Sequence, residues 1–436
     1  MKRILKSTLL LLLLISTISS CNRDGDNEPD QQINIKIASI SPDIGPKETV
    51  VTITGENFGT DTDLVSVYFN GKEAEVLTLN DTEITAKVPP LAYTGLVSIT
   101  IGDDTEVGPE FTYTISVVES SIVAGSGAQG STNGTGTAAS FYSPVSLAID
   151  SQDNIFVVDN GNHKIRKITP DGVVTTFAGS TQGFADGTGT SAKFNNPFGI
   201  TIDSNDNLYI ADSANSRIRK ITSAGVVTTV AGGTAGFADG VGSNAQFQAP
   251  AGIVVTQDNI LYVADQKNNR IRKIMPNGVV STFSGSSQGY QDGTRETARY
   301  YWPISLTIDS QNNLYVSDTF NNKIRKISSN GTVSTIAGSS AGFANGTGSV
   351  AKFNLPLGIA VDSNNTLYVA DYNNHKIRGI DTDTLVNTVA GSSRGYQEGS
   401  GATAKFNYPY GVAIDSHGNI FVADTGNNRI RKITQE

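Results

Sequence analysis

Apolar and polar residues alternate along most of the chain in short runs, each closed by Gly, Pro, Asn, Asp or Ser. Residues 49–54 read Thr-Val-Val-Thr-Ile-Thr and residues 96–101 read Leu-Val-Ser-Ile-Thr-Ile. Residues 197–203, 207–212, 217–221 and 226–231 form four such runs in succession, with Ser-Asn-Asp-Asn and Ser-Ala-Gly among the separators. A period of two puts alternate side chains on one face of a strand, and the separators supply turn geometry. No long segment has the 3.6-residue apolar period of an amphipathic helix, so the pattern predicts an all-β protein.

The runs themselves recur. Pro144, Pro197, Pro250, Pro303, Pro356 and Pro409 are each 53 residues apart, and Asp159, Asp212, Asp265, Asp318, Asp371 and Asp424 keep the same step. Four strands per repeat with a period near fifty predict six propeller blades. The sixth copy runs to Glu436 without a fourth strand, whereas residues 121–141 supply a fourth strand and its loop with no blade before them. That N-terminal strand is therefore expected to complete the last blade and leave no open ring edge. In every copy the Asp that ends the second strand precedes a base by five residues, which predicts six cross-strand pairs: Asp159 with Lys164, Asp212 with Arg217, Asp265 with Arg270, Asp318 with Lys323, Asp371 with Lys376 and Asp424 with Arg429. Phrases such as Leu261-Tyr262-Val263-Ala264-Asp265 and Asn268-Asn269-Arg270-Ile271-Arg272-Lys273-Ile274 resemble the NHL repeat, over roughly residues 120 to 436.

The first third of the chain reads differently. Met1-Lys2-Arg3-Ile4-Leu5-Lys6, the apolar run Leu9 to Ile15 and small residues up to Cys21, the single cysteine, resemble a bacterial lipoprotein signal. That resemblance implies acylation of Cys21 and a membrane anchor that does not span, since buried acyl chains contribute about 0.8 kcal/mol per CH2. The acidic, polar stretch after Cys21 predicts a tether and resembles a surface-export signal of Bacteroidetes lipoproteins, interrupted here by Gly25 and Asn27. Residues 33–116 predict a small β-sandwich. Through Ile40-Ser41-Pro42, Gly45, Thr52-Ile53-Thr54-Gly55-Glu56-Asn57-Phe58-Gly59, Val67-Tyr68-Phe69-Asn70-Gly71 and Val88-Pro89-Pro90 it resembles the immunoglobulin-like TIG/IPT domain. Gly55 and Gly59 are expected at positive φ around a turn, with Phe58 in the core, and the domain is read as a spacer or as a direct ligand contact. The organisation expected is thus a signal peptide at 1–20, a tether at 21–32, an immunoglobulin-like β-sandwich at 33–116 and a six-bladed β-propeller at 117–436.

Charge sharpens the division and excludes one class of partner. Residues 22–117 hold 5 Lys and Arg against 17 Asp and Glu, a net of −12, while residues 118–436 hold 24 of each. A neutral propeller beside an acidic domain gains little from counterion release, so nucleic acid is not an expected partner. With Cys21 used by the anchor, no disulfide can form within the chain.

Candidate chemistry follows from asymmetry. Loops after the second and fourth strands share one face of the ring, and residues 183–194 (Gly-Phe-Ala-Asp-Gly-Thr-Gly-Thr-Ser-Ala-Lys-Phe) exemplify the long one. What repeats, including Phe194, Phe247, Tyr300, Phe353 and Phe406, is read as inter-blade packing. What differs is read as ligand-binding: Arg295, Tyr301 and Trp302, the only Trp, then Phe320, Tyr372 and Tyr408. An aromatic platform suits the apolar face of a sugar ring or a protein hot spot. His163 and His375 occupy equivalent turns of blades 1 and 5, His417 lies on the opposite face, and turns such as Asp203-Ser204-Asn205-Asp206-Asn207 lack the distal Glu of a calcium loop. No catalytic residues, metal ligands or cofactors are assigned. The leading expectation is a lipid-anchored surface protein that presents a propeller to an extracellular glycan, beside an outer-membrane uptake complex. Two alternatives remain open: a metal-dependent enzyme of the lactonase and lyase type that the NHL resemblance implies, with acids and histidines lining the channel, or an assembly subunit binding only protein.

Overall fold

The computed structural model describes residues 34–89, 92–114 and 118–435, so the signal segment and Cys21 lie outside the described residues. The chain forms two compact units, and among the described residues there is no α-helix. In the first, eight strands pair in the order Lys36–Ser41, Val50–Glu56, Glu83–Lys87, Lys72–Asn80, Val65–Phe69, Gly95–Ile101, Asp104–Tyr113 and Ile44–Gly45. The long strand Lys72–Asn80 joins the two layers of a sandwich. Alternate residues of these strands, Val51, Ile53, Val67, Phe69, Ile84, Ala86, Val97 and Ile99, are fully buried, and the Phe69 and Phe111 rings meet edge to face at 5.2 Å. Phe58 is fully buried with them. The expected positive φ holds at Gly59 (+74°), whereas Gly55 is required for space: a Cβ there would lie 1.9 Å from the carbonyl oxygen of Lys36.

The second unit is six antiparallel sheets of five strands each. Blade 2 shows the plan, with Pro197–Ile202 innermost, then Leu208–Asp212, Arg217–Ile221 and Val226–Gly232 outward. A fifth strand of two residues, Gly187–Thr188, pairs with the outer edge at Val227 and Val226. The sequence reading predicted four strands. The extra one forms because the loop leaving the fourth strand of blade 1 crosses to the outer edge of blade 2 before it turns inward, and two residues are too short to show a period. The second strand of each blade is apolar on both sides because both faces of a blade pack on neighbours. Phe194 accordingly fills the seam between Val158 and Ile165 of blade 1 and Ile210 and Ile221 of blade 2. Ring closure is as expected: Val118–Ala124 pairs with Arg429–Gln435, from Val118 opposite Gln435 to Ala124 opposite Ile430.

The six acid–base pairs also form, with a different base. Asp265 and Arg270 are cross-strand neighbours in the backbone ladder, yet the carboxylate bonds Arg272, seven residues on, at 2.8 Å. The corresponding partners are Arg166, Arg219, Arg325, Arg378 and Arg431, and all twelve side chains are fully buried. Each arginine also donates to the loop arriving from the preceding blade; Arg272 reaches the carbonyls of Gln246 and Ala238 and the carboxylate of Asp239. Its guanidinium lies between Phe237 and Phe247, 4.9 and 5.1 Å from their centroids. The base at the expected position, Arg270, covers the ring of Phe237 instead, at 4.2 Å. A diagonal reach lets the buried base touch strand, loop and two rings at once, which the directly opposite residue cannot do. Arg272→Ala, which strands Asp265 without its cation, is expected to cost about 3–5 kcal/mol in denaturant unfolding, against less than about 1 kcal/mol for Lys164→Ala on the blade rim.

Candidate functional site

The loop face is held together by one repeated latch. The residue four positions after each conserved-register Asp adopts a left-handed conformation, φ +51° to +57°, and so does the residue before each blade proline, φ +46° to +54°. At five of the six seams among the described residues the first accepts a hydrogen bond from the backbone N–H of the second; Ser216, whose counterpart is Ala249, is the one that does not. Asn269 Oδ1 accepts from Trp302, Asn322 from Leu355 and Asn428 from Ser143, at 2.9–3.0 Å. His163 and His375 fill the same role: their Nδ1 atoms accept from Asn196 and Tyr408 at 3.1 and 3.2 Å. The two histidines are thus seam acceptors in different blades. Burial pushes both imidazoles down from the usual histidine value, and at His375 the cations Arg394 and Lys376 push further in the same direction.

The differing residues gather in two places on this face. At the seam of blades 3 and 4, Phe320 meets Trp302 edge-on at 4.9 Å and Tyr301 at 5.1 Å, and Phe320 is 41% exposed. The Phe320 N–H donates to the Tyr301 carbonyl, so the turn after the second strand and the segment before the first are fixed to each other. At the seam of blades 5 and 6, Tyr372 and Tyr408 lie 4.8 Å apart, with His375 edge-on to Tyr408 at 4.7 Å. Arg295 joins neither group. Its N–H donates to Gly331, in the turn between the third and fourth strands on the opposite face, and its guanidinium stacks 4.8 Å over Phe283. Arg295 stands where other copies have a glycine, and the crossing loop carries that position to the outer edge.

Sequence reasoning missed three members. Tyr410 packs on Tyr372 at 5.8 Å and, edge-on at 5.2 Å, on Phe198 of blade 2, so it links the second aromatic group to the mouth of the central channel. Arg394 lies over Tyr408 at 4.9 Å. The signal was available: the residue after each blade proline is Val145, Phe198, Ala251, Ile304, Leu357 or Tyr410, as varied as the loop positions.

Inside the ring the innermost strands approach backbone to backbone. A Cβ on Gly252 would lie 2.4 Å from the carbonyl oxygen of Ile304, and one on Gly358 equally close to that of Tyr410. The channel beyond this constriction holds about 190 Å³ and is lined by aliphatic and small residues such as Leu147, Ile200, Thr201, Leu306 and Thr307. Its lining includes no Asp, Glu or His, so it presents none of the acid and base groups that the lactonase-type reading places there. Among the described residues no three His, Cys, Asp or Glu side chains stand close enough to share a metal ion. His417 lies on the turn face, 3.6 Å from Asp153.

Family models match this arrangement in two parts: an IPT/TIG domain over residues 36–118, and NHL repeats over residues 141–168, 194–221, 247–274, 353–380 and 406–433. The protein carries an IPT/TIG domain followed by an NHL-repeat propeller. The matched NHL segments pass over residues 300–327, which hold Tyr301, Trp302 and Phe320. NHL repeat-containing protein 2 of Bos taurus is 30% identical over 338 residues, 67% of this chain and 46% of that protein. The protein SUPPRESSOR OF QUENCHING 1, chloroplastic, of Arabidopsis thaliana is 28% identical over 66% of this chain and 30% of that one. The chain thus spans less than half the length of these curated relatives. Among solved structures, a structural genomics protein of unknown function from Bacteroides thetaiotaomicron superposes with a TM-score of 0.70 at 20% identity, covering 93% of this chain and 99% of that one. An auxiliary nutrient binding protein from the same organism superposes with a TM-score of 0.57 at 20% identity and the same coverage. One from Bacteroides ovatus gives 0.58 at 18% identity, covering 93% and 99%. These likenesses show a shared fold.

The NHL latch predicts a pH dependence. An imidazole depressed in the fold binds fewer protons than the unfolded chain just below pH 6.5, so its contribution to stability falls as pH drops through that value. Among the buried acids, Asp424 is pushed up to about 6 by burial, against the pull of its hydrogen bonds; its contact with Arg431, 3.3 Å, is the longest of the six pairs. Because that contribution has the opposite sign and is common to both proteins, comparison with His375→Asn isolates the imidazole. The variant copies the residue of blades 3, 4 and 6, and its melting temperature is expected to fall less than that of the parent between pH 7.5 and 5.5; equal falls would remove the imidazole from the latch's pH response.

Proposed function

We propose that this protein is a lipid-anchored cell-surface binding protein whose propeller presents its loop face to an extracellular glycan, within a nutrient-uptake system. The observation that carries the reading is the pair of aromatic groups, Tyr301, Trp302 and Phe320 at one seam and Tyr372 and Tyr408 at another, set on a repeated scaffold. Half-exposed aromatic rings supply the apolar surface that stacks on pyranose C–H groups, with tyrosine hydroxyls for the sugar edge. Rigid placement matters as much as chemistry. The backbones of Trp302 and Tyr408 are held by N–H bonds across a seam and their rings are packed against Phe320 and against Tyr372 and His375, so little side-chain entropy is lost on binding.

The likeness over 93% of the chain to proteins described as auxiliary nutrient binding proteins supports a nutrient as the class of ligand. The resemblance of the segment ending at Cys21 to a lipoprotein signal supports acylation there and a tethered position on the outer membrane, where a bound polymer would be handed to an uptake complex. The apolar channel and the use of His163 and His375 as seam acceptors favour binding over catalysis.

Affinity electrophoresis of the purified protein through gels containing a panel of polysaccharides tests the reading. Retardation by at least one polymer is expected, reduced about tenfold in affinity by Trp302→Ala or Tyr408→Ala, as loss of a well-packed aromatic anchor of about 1.4 kcal/mol implies. Normal migration of the parent protein in every gel overturns the glycan assignment.

A further inference from the structure

Arg394 differs from every equivalent residue of the ring. It stands in the loop from blade 5 to blade 6, where the other copies have Gln129, Gln182, Ala235, Gln288 and Ala341. Its Nε donates to Asn407 Oδ1 at 3.0 Å, the bond that Gln182 makes to Asn195 at 2.9 Å in the blade 1 loop. The plane of the guanidinium is then held 4.9 Å over the ring of Tyr408. One edge and one face are thereby fixed, and the two terminal nitrogens bond no group among the described residues. Three other arginines at the blade rims are occupied there: Arg217 and Arg270 donate to the carbonyls of Asn215 and Asn268, and Arg429 to that of Ser126.

The surroundings are aromatic and cationic. Tyr408 stacks with Tyr372 and meets His375 edge-on, and the hydroxyls of Tyr372 and Tyr408 donate to no protein group among the described residues. Arg394 and Lys376 both push the His375 imidazole toward its neutral form; the Lys376 amine is itself spent on the carbonyls of Gly391 and Ser392, so Arg394 is the cation with donors to spare. Asp371 of blade 5 is buried on Arg378, and Glu398 of the same loop as Arg394 accepts from the Tyr396 hydroxyl. A planar, oriented guanidinium with two free donors matches a carboxylate bidentately, and its position beside a ring platform puts that carboxylate on the edge of a stacked ring.

We propose that the seam between blades 5 and 6 is a subsite for a hexuronic acid unit, with the carboxylate on Arg394 and the sugar ring beside the stacked Tyr408–Tyr372 pair. This deepens the glycan reading and rests on it. The ligand class it names is an acidic polysaccharide of the uronan type rather than a neutral glucan or a sulfated glycan.

Arg394→Gln tests the subsite without disturbing the loop, because glutamine fills three of the five equivalent positions and can keep the bond to Asn407. Calorimetry would compare the full chain with oligogalacturonides, oligoguluronates, their methyl esters, neutral gluco-oligosaccharides and a sulfated galactan. The parent protein is expected to bind an oligouronate at least about tenfold more tightly than its methyl ester, as a charge-assisted fork implies, and to weaken as salt rises. In Arg394→Gln that preference and its salt dependence should vanish at an unchanged melting temperature. Equal affinity for acid and ester, an acid preference that survives in Arg394→Gln, or an Arg394-dependent preference for the sulfated galactan each overturn the uronate subsite. Tight binding of neutral oligosaccharides alone overturns it while leaving the glycan reading intact, and failure of every glycan to bind overturns both.

Discussion

The propeller depends on a charge that is buried six times. Each Arg of the third strand, from Arg166 to Arg431, has no exposed side-chain surface, and its Asp partner has none either. Replacing such a pair by well-packed apolar groups is often neutral, so attraction between the charges is a weak reason for keeping it. Geometry is a better one. Asp212 accepts from the Asn195 backbone, from Asn215 and from Arg219, while Arg219 donates to the carbonyls of Lys193 and Ala185 and to Asp186. One ion pair therefore fixes a strand, a turn and the loop arriving from the preceding blade. An apolar substitute could fill the space but could not hold the loop's carbonyls in one register.

From that constraint the rest of the loop face follows. With the crossing loop clamped, its aromatic residues must lie against the guanidinium, as Phe184 and Phe194 do at 4.9 and 5.1 Å from Arg219. The inner ring is fully buried and the outer one, Phe184, is 46% exposed, with Arg217 covering it at 3.9 Å. The chain then turns inward through a left-handed residue that the seam latch holds by its N–H. Those left-handed residues include a Trp, a Leu and a Tyr, side chains for which the conformation is costly. Because all six copies share it, the strain belongs to the scaffold, and what varies is only which side chain is displayed there.

What the sequence revealed and what it hid divide along the same line. The 53-residue step, the closing strand and the packing role of Phe194 were legible because each depends on periodic spacing or on which segments lack a partner. The base bonded to each Asp was not, because adjacency in a hairpin points to the residue directly opposite, and only the loop arriving from another blade makes the diagonal Arg preferable. Arg295 was misplaced for a related reason: a residue near Trp302 in sequence sits on the far edge once the loop crosses from the outer strand to the inner one. His163 and His375 were legible only as equivalent turn positions without an assigned role, and in the fold each uses one lone pair on a backbone N–H, as an asparagine does elsewhere.

The same reasoning locates specificity. In a ring where the clamp and its inner aromatic ring are common to six copies and the latch to five, a residue that keeps the local bond but changes its chemistry alters function without altering structure. Tyr408 keeps the latch N–H and adds a ring; Arg394 keeps the bond to the following asparagine, as Gln182 does, and adds a charge with two donors left over. Both changes fall at the seam of blades 5 and 6, where Tyr410 extends the aromatic surface to Phe198 at the channel mouth. Phe320, Tyr301 and Trp302 make a comparable departure at the seam of blades 3 and 4, and those residues fall in the copy that the NHL segments pass over. A scaffold this uniform can tolerate such departures because the display residues meet its stabilising groups through backbone N–H bonds, as Tyr301 does at Asp318 and Tyr408 at His375, and those bonds do not depend on the side chain displayed.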